Sequence, residues 1–404
     1  MKTKKIILVD GNNFFASCEQ MANPILQGKP VCVLSNNDGC VIARSKEAKQ
    51  LGISMGMPYF MAKKSFPEAI YLSANFSLYH EISMRMMTIL QNYTDKIDVY
   101  SIDEAFLDIT GCDKVFRMEY KTLISKIKKE IEEKLGITVS IGLAPTKVLA
   151  KMANHKAKKS TGLYEIEYKL IEEELKNIPV EEIWGVGKNI ARTLKSYGIF
   201  YADEILLKED NFYKTTFGKK GMELKYELSG ISVIPVTGII EKPKSIQKTR
   251  AFPDFTKDKE YIKAELAMHL HNVCKKLRNY DLKTGRIAVL LRTKDFRILY
   301  REEKLDISTN SEISLTEKIY NLFDYIFYKE IIYRASGIIA LDLTEAQTPQ
   351  LSFFQNNEEE KCEKISTAID KIENKFGHGT LAIGGNGIKK IQEKHIRKQL
   401  PRTF

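Results

Sequence analysis

No stretch of this 404-residue chain approaches the roughly 20 consecutive apolar residues that a membrane-crossing helix needs. The basic opening, Met1-Lys2-Thr3-Lys4-Lys5, leads into an apolar run too short for a signal peptide, and Asp10 interrupts it. Six cysteines, at positions 18, 32, 40, 112, 274 and 362, show no paired C-x-x-C spacing. That argues against zinc and against a disulfide framework. The six histidines make no metal pair either. His269 and His271 flank one residue, which on a helix puts them on different sides. A reducing, cytoplasmic setting with no membrane partner is the expectation. What the chain does have is core and charge. It is 43% hydrophobic, enough for several domains, and its formal net charge of +11 points to a polyanionic partner.

The stretch with the most chemistry is Tyr100-Ser101-Ile102-Asp103-Glu104-Ala105-Phe106-Leu107-Asp108. Strand formers on both sides (Ile97, Val99, Phe106, Leu107, Ile109) enclose a small polar centre, which reads as a hairpin bend. On a straight strand Asp103 and Glu104 would point to opposite faces; at a bend they can converge. A second apolar run, Ile6-Ile7-Leu8-Val9, ends in Asp10-Gly11 and reads as a buried strand with an acid at the sheet rim. If the two strands are neighbours, Asp10, Asp103 and Glu104 form one set of hard oxygen ligands. Such acids repel unless a cation sits between them. Mg²⁺ suits oxygen ligands and substrate phosphates, and two such ions serve in-line phosphoryl chemistry. Taken singly, each of these acids also fits a solvated strand end.

Further along, periodicity lays out a sequence of modules. Residues 13–21 read as a helix capped by Asn12 or Asn13. Val31-Cys32-Val33-Leu34 and Cys40-Val41-Ile42-Ala43 flank an Asn-Asn-Asp-Gly turn and read as a hairpin. A short helix over 45–51 follows, closed by Gly52, and carries Lys46 and Lys49. Residues 75–95 and the Ile124, Ile127, Ile131, Leu135 series give amphipathic helices. Residues 138–144 form a strand, and a helix from Pro145 carries Lys147, Lys151, Lys156, Lys158 and Lys159. This order predicts an antiparallel sheet with helices on one face, an α+β arrangement.

Residues 166–235 read as small helices. Trp184-Gly185-Val186-Gly187-Lys188 opens a helix–hairpin–helix whose glycines let backbone N–H groups approach phosphates, with Trp184 as a buried anchor. After a tether at 236–243 comes a β-α-β-β-α-β order, the split βαβ arrangement. Lys244, Ser245, Lys248, Arg250, Arg286, Arg292, Lys294, Arg297 and Arg334 would line a sheet face there. Beyond it stand Gln350-Leu351-Ser352-Phe353-Phe354, an acidic run, an expected helix and turn over 361–382, and a basic end.

The wording of the first two motifs is specific. Val9-Asp10-Gly11-Asn12-Asn13-Phe14-Phe15-Ala16-Ser17-Cys18-Glu19 and Ser101-Ile102-Asp103-Glu104-Ala105-Phe106 resemble the metal-binding motifs of the Y-family, translesion DNA polymerases. Leu34-Ser35-Asn36-Asn37-Asp38-Gly39-Cys40-Val41-Ile42-Ala43-Arg44-Ser45 is similar to the UmuC branch of that family. The resemblance implies a multidomain right-hand fold. Its palm would be 1–23 and 75–165, its fingers 24–74, its thumb 166–235 and its little finger 244–345, with a clamp-binding linker over 346–360 and a UmuC-type tail over 361–404.

It also implies site roles. Asp10, Asp103 and Glu104, with the carbonyl of Gly11, would hold two Mg²⁺ ions, Mn²⁺ being a substitute. Phe14, Phe15, Arg44, Lys49 and Lys158 would serve the incoming nucleotide, Phe15 as the ring under its sugar. Gly185, Gly187, Lys188, Lys244, Ser245, Lys248, Arg250, Arg292 and Arg334 would contact DNA. The Gln350, Leu351, Ser352, Phe353 and Phe354 peptide is similar to motifs that bind the bacterial sliding clamp. Partners implied are primer–template DNA, dNTPs, the clamp, a UmuD-type protein and a recombinase filament. The activity implied is error-prone synthesis without proofreading in SOS-type damage tolerance. The alternatives are an inactive scaffold that keeps the fold and binds clamp and DNA, and a nucleotide-cyclase palm.

Overall fold

The computed structural model describes residues 3–35, 38–239, 242–346, 357–377 and 380–381. The chain divides into two compact units, the first running to residue 239 and the second from 242 onward. In the first, the chain runs β1 (Ile6–Gly11), α1 (Phe14–Ala22), β2 (Val31–Leu34), β3 (Val41–Arg44), α2 (Lys46–Gln50), α3 (Tyr59–Ser65) and β4 (Ile70–Ser73). It continues with α4 (Phe76–Gln91), β5 (Ile97–Val99), β6 (Glu104–Asp108), α5 (Cys112–Phe116), α6 (Tyr120–Leu135), β7 (Val139–Ala144), α7 (Lys147–Ala157) and β8 (Leu163–Glu165). Four helices close it: α8 (Ile171–Leu175), α9 (Lys188–Ser196), α10 (Glu204–Leu207) and α11 (Asp210–Leu228).

The main sheet has the order β5-β6-β1-β7-β8. The apolar β1 is its centre, antiparallel to both β6 and β7, and every residue of it is buried. Ile7 and Val9 face α1, α4 and α6, while Ile6 and Leu8 face α7 and the small helices. Helices therefore cover both faces, where the sequence pattern suggested one. A strand apolar at every position needs cover on both sides. The cover on the α7 side is close because of Gly142. A Cβ there would stand 2.1 Å from the Asn154 backbone nitrogen. Asn154 then donates across the contact to the Leu8 carbonyl (3.2 Å) and the Ser140 carbonyl (2.7 Å), which fixes the face α7 presents. A smaller sheet, β3-β2-β4, contains the expected hairpin and adds β4 parallel to β2.

The second unit runs β9 (Ile246–Thr256), α12 (Lys259–Asn279), β10 (Leu282–Thr293), β11 (Ile298–Thr309), α13 (Glu312–Ile326), β12 (Tyr333–Glu345) and α14 (Asn357–Phe376). This is the β-α-β-β-α-β order read from the sequence. The sheet is antiparallel throughout, in the order β11-β10-β12-β9. Ile287, Val289, Leu291, Ile338 and Ala340 pack against Leu266, Leu270, Leu315 and Ile319 of the two central helices. The last helix is tied to α12 by an Arg278–Asp370 pair and by His271, which lies between Glu312 and Glu373. The peptide at 350–354, the turn at Asn36 and Asn37, and the basic end at 383–404 lie outside the described residues.

Candidate active site

Register brings the acids together. Asp10, the penultimate residue of β1, pairs with Glu104, the first residue of β6. The bend before Glu104 is closed by Tyr100 N–H and Ser101 N–H, which donate to the Glu104 carbonyl at 2.9 and 3.1 Å. The two carboxyl groups lie close enough to shift each other's protonation in opposite directions. Burial, and then the Glu104 contact, push the Asp10 carboxyl up to about 7 against the pull of Lys158. Burial works against the charged form of Glu104 as well, but the Asp10 hydrogen bond and the Lys151 ammonium hold it below the usual carboxylate range.

Asp103 stands apart from this pair. Its carboxylate accepts the Ser101 hydroxyl at 2.6 Å, and its carbonyl accepts the Gly11 N–H at 2.9 Å. Among the described residues no three acids, histidines or cysteines gather as a metal cage. Strand neighbourhood was legible in the sequence; the rotation of Asp103 toward its own bend was not.

Two lysines supply the countercharge. Lys158 Nζ lies 2.7 Å from Asp10 Oδ1, and Lys151 Nζ lies 3.1 and 3.0 Å from the two Glu104 oxygens. Lys158 was expected here and Lys151 was not. The signal was available: 151 and 158 are seven residues apart, two helical turns, so both fall on one face of α7. A cleft of about 620 Å³ opens beside them, lined by Asp10, Glu104, Lys151, His155, Lys158 and Trp184 among others. A second cleft of about 560 Å³ shares Lys158 and is lined by Asn12, Asn13, Ser17, Lys46, Lys49 and Thr138. Lys49 reaches the Asn13 side chain across it. Lys46 lines it too. Arg44 instead spends its guanidinium on the Ile53 carbonyl.

The two phenylalanines at the start of α1 separate. Phe14 is buried under Gly11, where an added Cβ would meet its ring at 2.8 Å. Its side chain packs in the core of the first unit. Phe15 is only half-buried, and its ring stacks on Tyr79 at 4.4 Å with Phe76 edge-on at 6.0 Å. In the helical part, Gly185 takes a left-handed φ of 92° and Gly187 precedes α9, which Lys188 begins. Trp184 is half-buried rather than a buried anchor. Its indole N–H donates to the Tyr100 hydroxyl at 3.1 Å.

Within the second unit, strand parity sorts the cations. Lys248 and Arg250 share the parity of buried Ile246 and Phe252, so they point to the helix-covered side. Burial, then Lys276 and Arg250, hold the Lys248 ammonium below its ordinary range. The expectation that these two line the open face is corrected. Arg286, Arg292 and Arg334 do not share that fate. Arg286 is paired with Glu302 and Asp342. Arg292 and Arg334 lie 4.9 and 3.9 Å from the centre of the exposed Phe296 ring. Lys244 and Ser245 are exposed ahead of β9.

A mostly antiparallel palm sheet with paired acids on the adjacent strands β1 and β6, followed by small helices and a split βαβ unit, is the arrangement of a Y-family DNA polymerase. Residues 9–155 match the impB/mucB/samB family and residues 243–353 match that family's C-terminal domain. The chain belongs to that family. It is similar to protein SamB of Salmonella typhimurium, 33% identical with 94% of this chain and 93% of the relative covered. It is similar also to protein UmuC of the same organism, 32% identical with the same coverage. DNA polymerase IV 1 of Bacillus subtilis is 31% identical, with 97% and 95% covered. Among solved structures, a Y-family chimaera of Dbh and Dpo4 superposes with a TM-score of 0.68 at 30% identity, covering 84% of this chain and 99% of that one. An insertion ternary complex of Dbh DNA polymerase gives 0.57 at 29% identity, with 84% and 99% covered. The protein is thus a DNA-directed DNA polymerase of the translesion class. Such polymerases use divalent metal ions, and the residues here fit one. Hard oxygen donors from Asp10 and Glu104 meet across β1 and β6 at the rim of a cleft, the donor chemistry that a hard divalent cation takes. No helix among the described residues is long and apolar enough to cross a membrane.

Proposed function

We propose that this chain extends a primer by two-metal nucleotidyl transfer, with Asp10, Glu104 and Asp103 holding two Mg²⁺ ions and the Gly11 carbonyl assisting. The observation that carries this reading is the pairing of Asp10 with Glu104 across β1 and β6, flanked by Lys151 and Lys158. When bound, the metals lower the pKa of the primer 3′-hydroxyl and offset charge at the phosphorus. The 3′-hydroxyl loses its proton to solvent as its oxygen bonds to the α-phosphorus of a dNTP, the bond to the bridging oxygen breaks, and pyrophosphate leaves. Lys158, Lys49 and Lys46 border the cleft where the triphosphate would lie, and their positive charge would hold it. Phe15, backed by Tyr79, would sit under the sugar and exclude a 2′-hydroxyl.

DNA contacts in the second unit fall to Arg292, Arg334 and the segment of Lys244 and Ser245, and those of the first unit to Gly185, Gly187 and Lys188. The peptide of Gln350, Leu351, Ser352, Phe353 and Phe354 is assigned to a sliding clamp on its sequence alone. The likeness to UmuC and SamB supports a UmuD-type partner; the error-prone role in SOS-type damage tolerance and the recombinase filament rest on the sequence resemblance alone.

Primer extension with Mg²⁺ and dNTPs tests the reading. Wild type should add nucleotides, and Asp10→Asn should not. Activity retained by Asp10→Asn would remove the metal assignment. Phe15→Ala should raise ribonucleotide use relative to dNTPs by at least about tenfold. Unchanged sugar selectivity would place the gate elsewhere.

A further inference from the structure

The first unit contains a cluster that the reaction as proposed does not use. Lys151, on α7, donates to both oxygens of Glu104. Its ammonium also lies 4.5 Å from the centre of the Tyr100 ring and 5.8 Å from that of Trp184. Tyr100 belongs to the catalytic bend, and Trp184 stands directly before the Gly185 turn. The two rings meet edge-on, 5.5 Å apart, joined by the indole-to-hydroxyl hydrogen bond. Phe106, buried in β6 two residues after Glu104, floors the group, 5.5 Å from Trp184 and 5.8 Å from Tyr100. One lysine thus touches a proposed metal ligand on one side and a pair of aromatic rings on the other.

An ammonium on both oxygens of a carboxylate competes with any cation for those oxygens. A ring pair beside it gives the ammonium somewhere to stay once the carboxylate is taken, because the face of an aromatic ring attracts a cation. The ring pair joins the catalytic bend to the turn that leads into α9, so whatever shifts that turn also shifts the rings. We propose that Lys151 is a positioning residue that holds Glu104 until a divalent cation displaces it. Tyr100 and Trp184 keep the displaced ammonium at hand and couple that exchange to the Gly185 turn. This inference rests on the metal reading of Asp10 and Glu104, and the test separates the two.

Trp184 is the sole tryptophan of the chain, so its emission reports on this cluster in the full-length protein without a label. Ca²⁺ is titrated into the protein without DNA, with affinity read by calorimetry and the cluster read by Trp184 fluorescence. Wild type should bind Ca²⁺ and change its emission in step with binding. Lys151→Met should bind Ca²⁺ roughly fivefold more tightly, since a part-buried competitor is gone, and its emission should no longer follow binding. Lys159→Met, an equal change of charge nearby, should leave both readouts as in wild type. Lys151→Arg, which restores a cation, should move affinity back toward wild type. Lys151→Gln, which removes the charge but keeps a polar side chain, serves if Lys151→Met does not fold, and tighter binding with emission that no longer follows it is then the supporting result, wild-type behaviour the overturning one.

No Ca²⁺ binding in wild type would overturn the metal reading itself. Binding of equal strength in Lys151→Met and wild type would overturn the inference alone. So would the same tightening in Lys159→Met, or wild-type emission that ignores Ca²⁺. In each of those three cases the metal site would stand.

Discussion

Both units bury charge, and they do so in opposite ways. In the second unit, Arg278 grips Asp370 through two nitrogens, at 2.5 and 2.9 Å. His271 sits between Glu312 at 2.7 Å and Glu373 at 3.0 Å, and Lys275 reaches Glu373 at 2.9 Å. Each of these charges has an opposite partner, and the group joins α14 to α12 and α13. In the first unit, two acids face each other across β1 and β6, Asp10 against Glu104, and lysines balance them from the side. The first arrangement is complete as it stands and contributes to the fold. The second sets two acids side by side, and on the proposed reading a cation completes it. A buried ion pair alone says little about function; a buried pair of like charges in a cleft says more.

The sharpest way to break this contrast is to remove one charge from each unit. Glu104→Gln should cut nucleotide addition by about a thousandfold or more, the scale of ~4 kcal/mol in the barrier. The same variant should lose only a little stability, since it gives up a part-exposed ion pair with Lys151. Single-turnover extension and thermal melting measure the two effects. A large fall in stability with activity kept would reverse the assignment.

Arg278→Met is the counterpart, with a smaller effect of the other kind. It strands the Asp370 carboxylate at the base of α14, and breaking a buried pair in this way costs about 3 kcal/mol. Denaturant unfolding should show that loss. Extension per folded molecule, measured well below the transition, should change little. If activity falls as far as in Glu104→Gln while stability holds, the second unit's charges are not merely structural.

The two units also differ in how much the sequence disclosed. The pattern of the second was plain, because its helices keep a three-and-four spacing and its strands alternate. What hid there was orientation. Lys248 and Arg250 were grouped with the other cations as one basic face, although two-residue periodicity from Ile246 already turns them inward. In the first unit, Asp10, Glu104 and the bend between strands could be read from apolar runs ending in acids. The Gly142 close approach could not, because a glycine in a strand does not say which helix comes near. That contact sets the face of α7, and the face of α7 decides that Lys151, and not only Lys158, meets the acids. Side-chain rotation was equally out of reach, as the turning of Asp103 to Ser101 shows.

The mildest test uses pH to set the two units against each other in a single protein. Asp10 has its folded value raised from 3.8 to about 7, so the folded state binds more protons than the unfolded state between those values. Stability of the metal-free protein should therefore fall as pH rises from about 4 to about 7, and level off above. His271 also has a raised folded value, held up first by its Glu312 hydrogen bond. Its contribution is complete below the unfolded value of 6.5 and is lost as pH rises through the higher folded one. The two slopes have the same sign but occupy successive windows. On the proposed reading a divalent cation binds the deprotonated acids, so saturating Mg²⁺ should flatten the lower window and leave the upper one untouched. Replacing His271 by Gln should do the reverse. Denaturant unfolding from pH 4 to 9, with EDTA and with Mg²⁺, reads both at once. If Mg²⁺ flattened neither window, or both, the distinction between a site that a cation completes and a pair complete in the fold would fail.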